Sequence, residues 1–355
     1  MFPRSSILHV ISSISRPLRR YTNLKFGFAS VSSRSLDDVL EGIRRAEDLG
    51  FDSAWISDLA LDRDVFVTMT ISALNTTRIR LGTGVTNPYS RHPVVTAAAL
   101  ATINEISHDR VIVGLGVGSK RNLLHPLGLV RTDLDQTCRE VITVMRDLLS
   151  GREVTSKIGV CRLSKVKFSF STKKIPIFLA GRGARVLSVA GEVADGAIFS
   201  SLTTPRALKY AIDAVNFGLK KAGRDQTSVE KAVYCRFHIS NDRTKAKQAI
   251  LPNIPYRIWD DSYSTLNKLG YDLEVVRRIK RAYNSGNMSE ACSLITAQMI
   301  DDFAIAGSTK DCKEKVRALK EGGITQLIVI PVANDFSSRM NQLEQFSEEV
   351  MPSFR

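Results

Sequence analysis

The 355-residue sequence predicts an α/β fold, a single (β/α)8 TIM barrel with insertions, and three observations carry that prediction. From Leu24 onward, short apolar strand patterns alternate with amphipathic helical ones, and the count of each approaches eight; this is how parallel strands joined by crossover helices read. A chain of this length with 43% apolar residues can bury a large core, and the length suits one barrel with additions. The stretch Arg78-Ile79-Arg80-Leu81-Gly82-Thr83-Gly84-Val85-Thr86-Asn87-Pro88-Tyr89 runs an apolar pattern into two glycines and stops at a polar, proline-marked loop. That is the expected carboxyl end of a barrel strand built to touch a ligand, since a glycine there lets backbone approach a flat ring that a Cβ would obstruct.

Strands are expected near 24–29, 53–57, 78–85, 110–117, 176–180, 196–200, 231–239 and 325–332. Helices fit between them at about 35–49, 64–75, 92–106, 133–149, 183–193, 205–222 and 309–322, with a last one near 337–350. Ser35 caps the first helix and Gly50 ends it. Two segments exceed the repeat. Residues 151–172 alternate like strands in a Lys-rich context and read as an inserted hairpin, and residues 251–300 read as a helical excursion. Loops at the carboxyl face of a barrel set substrate choice, so the second insertion is a candidate lid or substrate wall, with subunit contacts as the competing role. The barrel is thus expected over 24–355, behind an extension at 1–23.

The net charge of +14 raises the question of nucleic acid. Its distribution argues against it: the first 34 residues contain no Asp or Glu, the remaining excess is scattered, and no basic run is interleaved with aromatics. A small anionic cofactor fits better. No run approaches the roughly 18 apolar residues of a membrane span, so no membrane partner is expected. Five cysteines with no CxxC pair read as reduced, intracellular thiols, and five histidines without HxH or HExxH spacing predict no metal site. Residues 1–23 are rich in Ser and Arg and free of acids, the composition of a mitochondrial transit peptide or of a simple tail. A cytoplasmic location is the default reading, and a mitochondrial one applies to a eukaryotic source.

Three motifs carry the chemistry. Gly114-Leu115-Gly116-Val117-Gly118 ends the fourth strand, close to the polar Asn122; alone it also reads as a tight turn. Ala180-Gly181-Arg182-Gly183-Ala184-Arg185 joins the fifth strand to a helix start, where unpaired N–H groups and the dipole favour phosphate, with Arg182 or Arg185 able to add charge. Asp58 stands at the end of the Trp55-Ile56-Ser57 strand, where a carboxylate can serve a ring or a substrate; a surface or capping carboxylate is the plainer alternative.

Together with Ala54-Trp55-Ile56-Ser57-Asp58 and Asn104-Glu105-Ile106-Ser107, these motifs resemble the bacterial-luciferase-like superfamily, in its branch that uses the deazaflavin coenzyme F420, and within it the methylenetetrahydromethanopterin reductases. The resemblance implies an oxidoreductase that moves a hydride between F420 and a small, tetrahydropterin-like substrate. It places cofactor-binding positions at Gly84, Val85, Val117, Gly118, Asn122, Ala180, Gly181, Gly183 and Ala184, a non-prolyl cis peptide at Gly84-Val85, and a catalytic role at Asp58. A homo-oligomer is expected. The runners-up are an FMN-dependent monooxygenase and a non-catalytic cofactor binder. Two departures stand out: Leu59 follows Asp58 where relatives often carry a histidine, and Ala29 stands where the pterin reductases commonly place a glutamate suited to protonating the substrate nitrogen.

Overall fold

The structure is a computed structural model that describes residues 23–30, 35–59, 62–131, 133–158 and 161–355, without the side chains of Asn122 and Cys161. All but the last residue of the expected extension at 1–23 thus lies outside the described residues. Eleven strands are present among them: β1 (Lys25–Ser30), β2 (Ser53–Ile56), β3 (Arg80–Thr83), β4 (Val111–Gly116), β5 (Val154–Ile158), β6 (Cys161–Val166), β7 (Ile177–Gly181), β8 (Gly196–Ser200), β9 (Glu230–Ile239), β10 (Ala304–Gly307) and β11 (Gln326–Pro331). Eight of them close into a parallel ring in the order β1-β2-β3-β4-β7-β8-β9-β11, with β11 returning to β1. β5 and β6 form the antiparallel hairpin after the fourth crossover helix.

β10 is absent from the sequence reading, and its place explains why. The ten-residue β9 pairs with β8 only as far as Tyr234, and β10 takes up the vacated edge at Arg236 to Ile239. The third strand is shorter than expected because both its ends are diverted. At its start the Glu47 carboxylate accepts the N–H groups of Thr77, Arg78 and Ile79 (3.0, 2.5 and 2.8 Å). At its end the chain swings from β2 to β4: Gly84 N–H still donates to Ile56 O (2.6 Å), but Thr86 N–H donates to Gly114 O (2.9 Å).

Strand alternation sorts the apolar side chains into two layers. Phe26, Phe28, Leu81, Val113, Leu179, Phe199 and Val329 point outward against the helices, while Trp55, Ile112, Phe178, Ile198, Ala232 and Ile328 fill the barrel. Trp55 dominates the interior. Its indole meets Phe178 edge-on (5.9 Å, 69°) and donates from Nε1 to Ser53 Oγ (2.9 Å). The strand beside it must be glycine, because a Cβ on Gly82 would lie 2.7 Å from the indole.

The segment expected as a helical excursion contains the helices Ile254–Asp260, Tyr263–Lys268, Leu273–Asn284, Met288–Ser293 and Ala297–Phe303. No helix among the described residues is long and apolar enough to cross a membrane.

Candidate active site at the barrel mouth

Below the mouth the inward residues are sealed, with Trp55, Ile112, Phe178 and Ile328 at 0–1% exposure. At the carboxyl ends the picture changes: Asp58, Val85, Val117, Ser200, Tyr234 and Arg236 are all half-buried. Val85, Ser200, Tyr234 and Arg236 point inward and still meet solvent, and with Asp58 after β2 they line a concavity.

The residues singled out from the sequence gather on one arc of this mouth, the adjacent strand ends of β2, β3, β4 and β7. Asp58 follows β2 and accepts a hydrogen bond from Thr86 Oγ1 on its Oδ2 (2.7 Å). Burial pushes its carboxyl above the usual range, and neighbouring Asp64 adds to this against the opposing effects of Thr86 and Arg91. Thr86 follows the Gly84-Val85 peptide, which is cis, so the carboxylate is tied to that bulge. Val85 turns inward and occupies the space over β4, which is why Gly116 bears no side chain: a Cβ there would lie 2.5 Å from Val85 Cγ2.

Gly84 itself departs from the expectation that its missing Cβ makes room for a ring. An added Cβ would lie 2.9 Å from Trp55 Cβ and 3.2 Å from the Trp55 carbonyl carbon. The glycine serves the close approach of the bulge to β2, and Val85 presents the surface toward the mouth.

After β4, Val117 and Gly118 lead into the π-helical turn Lys120–Leu124. Gly118 has φ +70, a conformation that favours glycine. The Asn122 side chain lies outside the described residues. Ser119 Oγ meets Tyr256 Oη of the excursion at 2.8 Å, which ties the roof to this loop.

After β7, Ala180 and Gly181 lead to Gly183, the N-cap of the helix Ala184–Val193, which has no side-chain cap. A Cβ on Gly183 would find only Thr265 Oγ1, 3.8 Å away, so the turn is open. Tyr210 Oη accepts the Ala184 N–H (2.9 Å), and the other first-turn donors are those a helix start leaves without intrahelical partners. The two arginines expected to add charge here are already engaged: Arg182 with Asp260 and Asp261, and Arg185 with Asp135. Their partners are distant in sequence, and no local spacing signals the pairing.

Also invisible in the sequence is the network around Arg182. Arg257, 4% exposed, donates to Ser200 O (2.8 Å) and pairs with Asp261 (3.3 Å), and the Lys280 ammonium donates to Trp259 O (2.8 Å) and to Asp261 O. The excursion is thereby pinned over the ends of β7 and β8. Arg257 Nε, Asp260 Oδ1 and Asp261 Oδ2 are buried without a protein partner in this network, as is usual where ordered water completes a buried polar cluster.

Comparison with known proteins agrees with this architecture. The sequence is 33% identical over 306 residues to the 5,10-methylenetetrahydromethanopterin reductase of Methanolobus tindarius, covering 86% of this chain and 93% of that protein. It is 26% identical over 350 residues to the F420-dependent glucose-6-phosphate dehydrogenase of Amycolatopsis mediterranei, covering 94% and 99%. The solved structure of the coenzyme F420 dependent tetrahydromethanopterin reductase from Methanopyrus kandleri superposes with a TM-score of 0.84 at 28% identity, covering 94% of this chain and all of that one. The family model for the luciferase-like monooxygenases matches residues 21–326, and the chain belongs to that family.

Proposed function

We propose that the protein is an F420-dependent oxidoreductase that passes a hydride to a small substrate, with methylenetetrahydropterin reduction as the reaction. The observation that carries this is the Asp58-Thr86 hydrogen bond at the barrel mouth, on a chain similar to a coenzyme F420 dependent tetrahydromethanopterin reductase and an F420-dependent glucose-6-phosphate dehydrogenase. Leu59 favours the pterin reductases over the sugar-phosphate and alcohol enzymes.

The mouth fits a planar, phosphate-bearing cofactor. Around the bulge the inward residues are Ala29, Val85, Gly116 and Ala180, where other barrels stack branched side chains, so a flat face is available. The open turn at Gly183 suits a phosphate. Val85, Gly118, Ala180 and Gly181 would hold the ring together with the backbone of Val117, with Gly84 setting the bulge and Gly183 and Ala184 holding the phosphate. When bound, a deazaflavin supplies a hydride from one ring carbon and reacts poorly with oxygen. Asp58, whose raised pKa keeps a larger share of it protonated, delivers a proton from its carboxyl to the substrate nitrogen as the methylene bridge opens to an iminium ion. Ala29, fully buried and without a carboxyl, cannot do this.

A homodimer is part of the proposal. The helices Val65–Leu74 and Pro93–Ile106 leave Val67, Leu74 and Val95 at 59%, 71% and 53% exposure, an apolar face that a second copy would cover. Incubation with reduced F420 and methylenetetrahydromethanopterin, followed by F420 absorbance, tests the activity. Oxidation of F420 with formation of the methyl product supports it. F420 binding without turnover of the pterin moves the substrate elsewhere, and binding of FMN alone replaces the cofactor.

A further inference from the structure

The arc opposite the bulge holds a cation that the reading above does not use. In the ring, β9 lies four strands from β3 in either direction. Ala232 and Tyr234 of β9 point into the barrel, and Cys235 and Phe237 point away from it, so the two-residue repeat turns Arg236 into the mouth. Its register partner on β11 is Ile330, another interior residue.

The half-buried Arg236 side chain makes neither an ion pair nor a hydrogen bond to any described residue. The ionisable groups that act on it are Tyr234, Tyr256 and Cys235, with no carboxylate among them. Every Asp and Glu of the sequence lies among the described residues, so no undescribed residue can supply one. Burial accordingly lowers its pKa. The contrast with Arg182 and Arg257 is sharp, since both are met by Asp260 or Asp261 a short way along the same rim. A half-buried, planar, five-donor cation without a counter-ion is stabilised when an oxyanion arrives.

We propose that Arg236 is a substrate-binding residue that receives a phosphate or carboxylate group of the bound small molecule, on the side of the mouth facing the Gly84-Val85 bulge. The site does not depend on which cofactor occupies the other arc. Tyr256 of the excursion is among the groups that act on Arg236, so ligands of this arc are selected jointly by β9 and the excursion.

The test uses thermal melts of the full chain at fixed ionic strength, with inorganic phosphate, with glutarate or with neither. The open turn at Gly183 is a second place for an oxyanion, so the comparison is made in Gly183→Asp protein, with and without Arg236→Met. The parent should gain stability with phosphate or glutarate, and the stronger of the two names the class of anion. Arg236→Met should weaken that binding by about 10- to 100-fold, the span for losing a charge-assisted pair. It should also melt no lower than its parent without oxyanion, because it removes an uncompensated charge and keeps an apolar stem. Arg236→Lys should retain part of the gain. A lower melting point for Arg236→Met in oxyanion-free buffer would reveal a structural role and overturn the proposal. So would an undiminished response to oxyanion in that variant, or no response in the parent.

Discussion

Replacing Asp58 by Asn separates proton delivery from positioning. Thr86 Oγ1 lies 2.7 Å from Asp58 Oδ2, and an amide oxygen in the same place accepts that bond equally well, so the bulge and its contacts stay put. What is lost is the acidic proton. General acids contribute about 10²–10⁴ in rate, which at about 1.36 kcal/mol per decade is roughly 2.7–5.4 kcal/mol of transition-state stabilisation. Single-turnover mixing with saturating reduced F420 and methylenetetrahydromethanopterin should show that drop, while an equilibrium titration of F420 changes by less than about threefold.

Two pH effects accompany it. Only protonated Asp58 can donate, so the wild-type rate should fall as pH rises through its raised pKa, and the Asn variant should lack that limb. For stability, a carboxyl whose pKa is raised by burial favours the folded state below its unfolded value of about 3.9 and loses that contribution as pH rises through the folded value. Asp58→Asn should therefore be the more stable protein near neutral pH, with the advantage vanishing in acid. An Asn variant that turns over normally refutes the proton role. One that binds F420 poorly yet reacts normally at saturation makes Asp58 a positioning residue.

Gly84→Val should cost stability first, by about 1–3 kcal/mol in a urea melt, because the new side chain enters Trp55 and the β2 backbone; unchanged stability with lost cofactor binding would restore a direct ring contact. Gly183→Asp is sterically tolerated, and it should weaken a phosphorylated cofactor more than its dephosphorylated form. Equal losses would move the phosphate away from this turn. For Glu47, burial works against ionisation, but three backbone N–H groups and Arg78 hold its pKa below the usual range. Its contribution should disappear as pH falls from about 4.3 toward the folded value, and Glu47→Gln should flatten that part of the acid melt. Asp261→Asn removes a 5% exposed partner of Arg182 and Arg257 and should cost about 3–5 kcal/mol, with faster proteolysis between residues 251 and 303 as the specific sign.

The eight barrel strands were legible because each is an apolar-patterned run between helical patterns, and the place of Asp58 at the mouth was legible because it follows one of them. The four-residue β10 was not, since it exists only where β9 outlasts β8. Direction was the second limit. A sequence shows that residue 84 lacks a Cβ but not where that Cβ would point, and here it points at Trp55. Partnership across the chain was the third: Arg182 read as a spare charge beside the phosphate turn because Asp260 and Asp261 are nearly 80 residues away. Arg236 sits in an apolar strand pattern and gained meaning only once every neighbouring carboxylate had been accounted for elsewhere.

The excursion touches the barrel through three strand ends at once: Tyr256 at Ser119 after β4, Asp260 and Asp261 at Arg182 after β7, and Arg257 at Ser200 of β8. Arg182 and Arg257, with Lys280 beside them, take up both Asp260 and Asp261, so this junction leaves no carboxylate for Arg236. Among the described residues, Asp58, Thr86 and Val85 on the arc from β2 to β4 make no hydrogen bond to the excursion, which reaches this arc at the loop after β4. Changes within the excursion should therefore alter what binds near Arg236 while leaving the Asp58-Thr86 pair in place. Under the proposed function, hydride and proton transfer belong to one arc and substrate choice to the other.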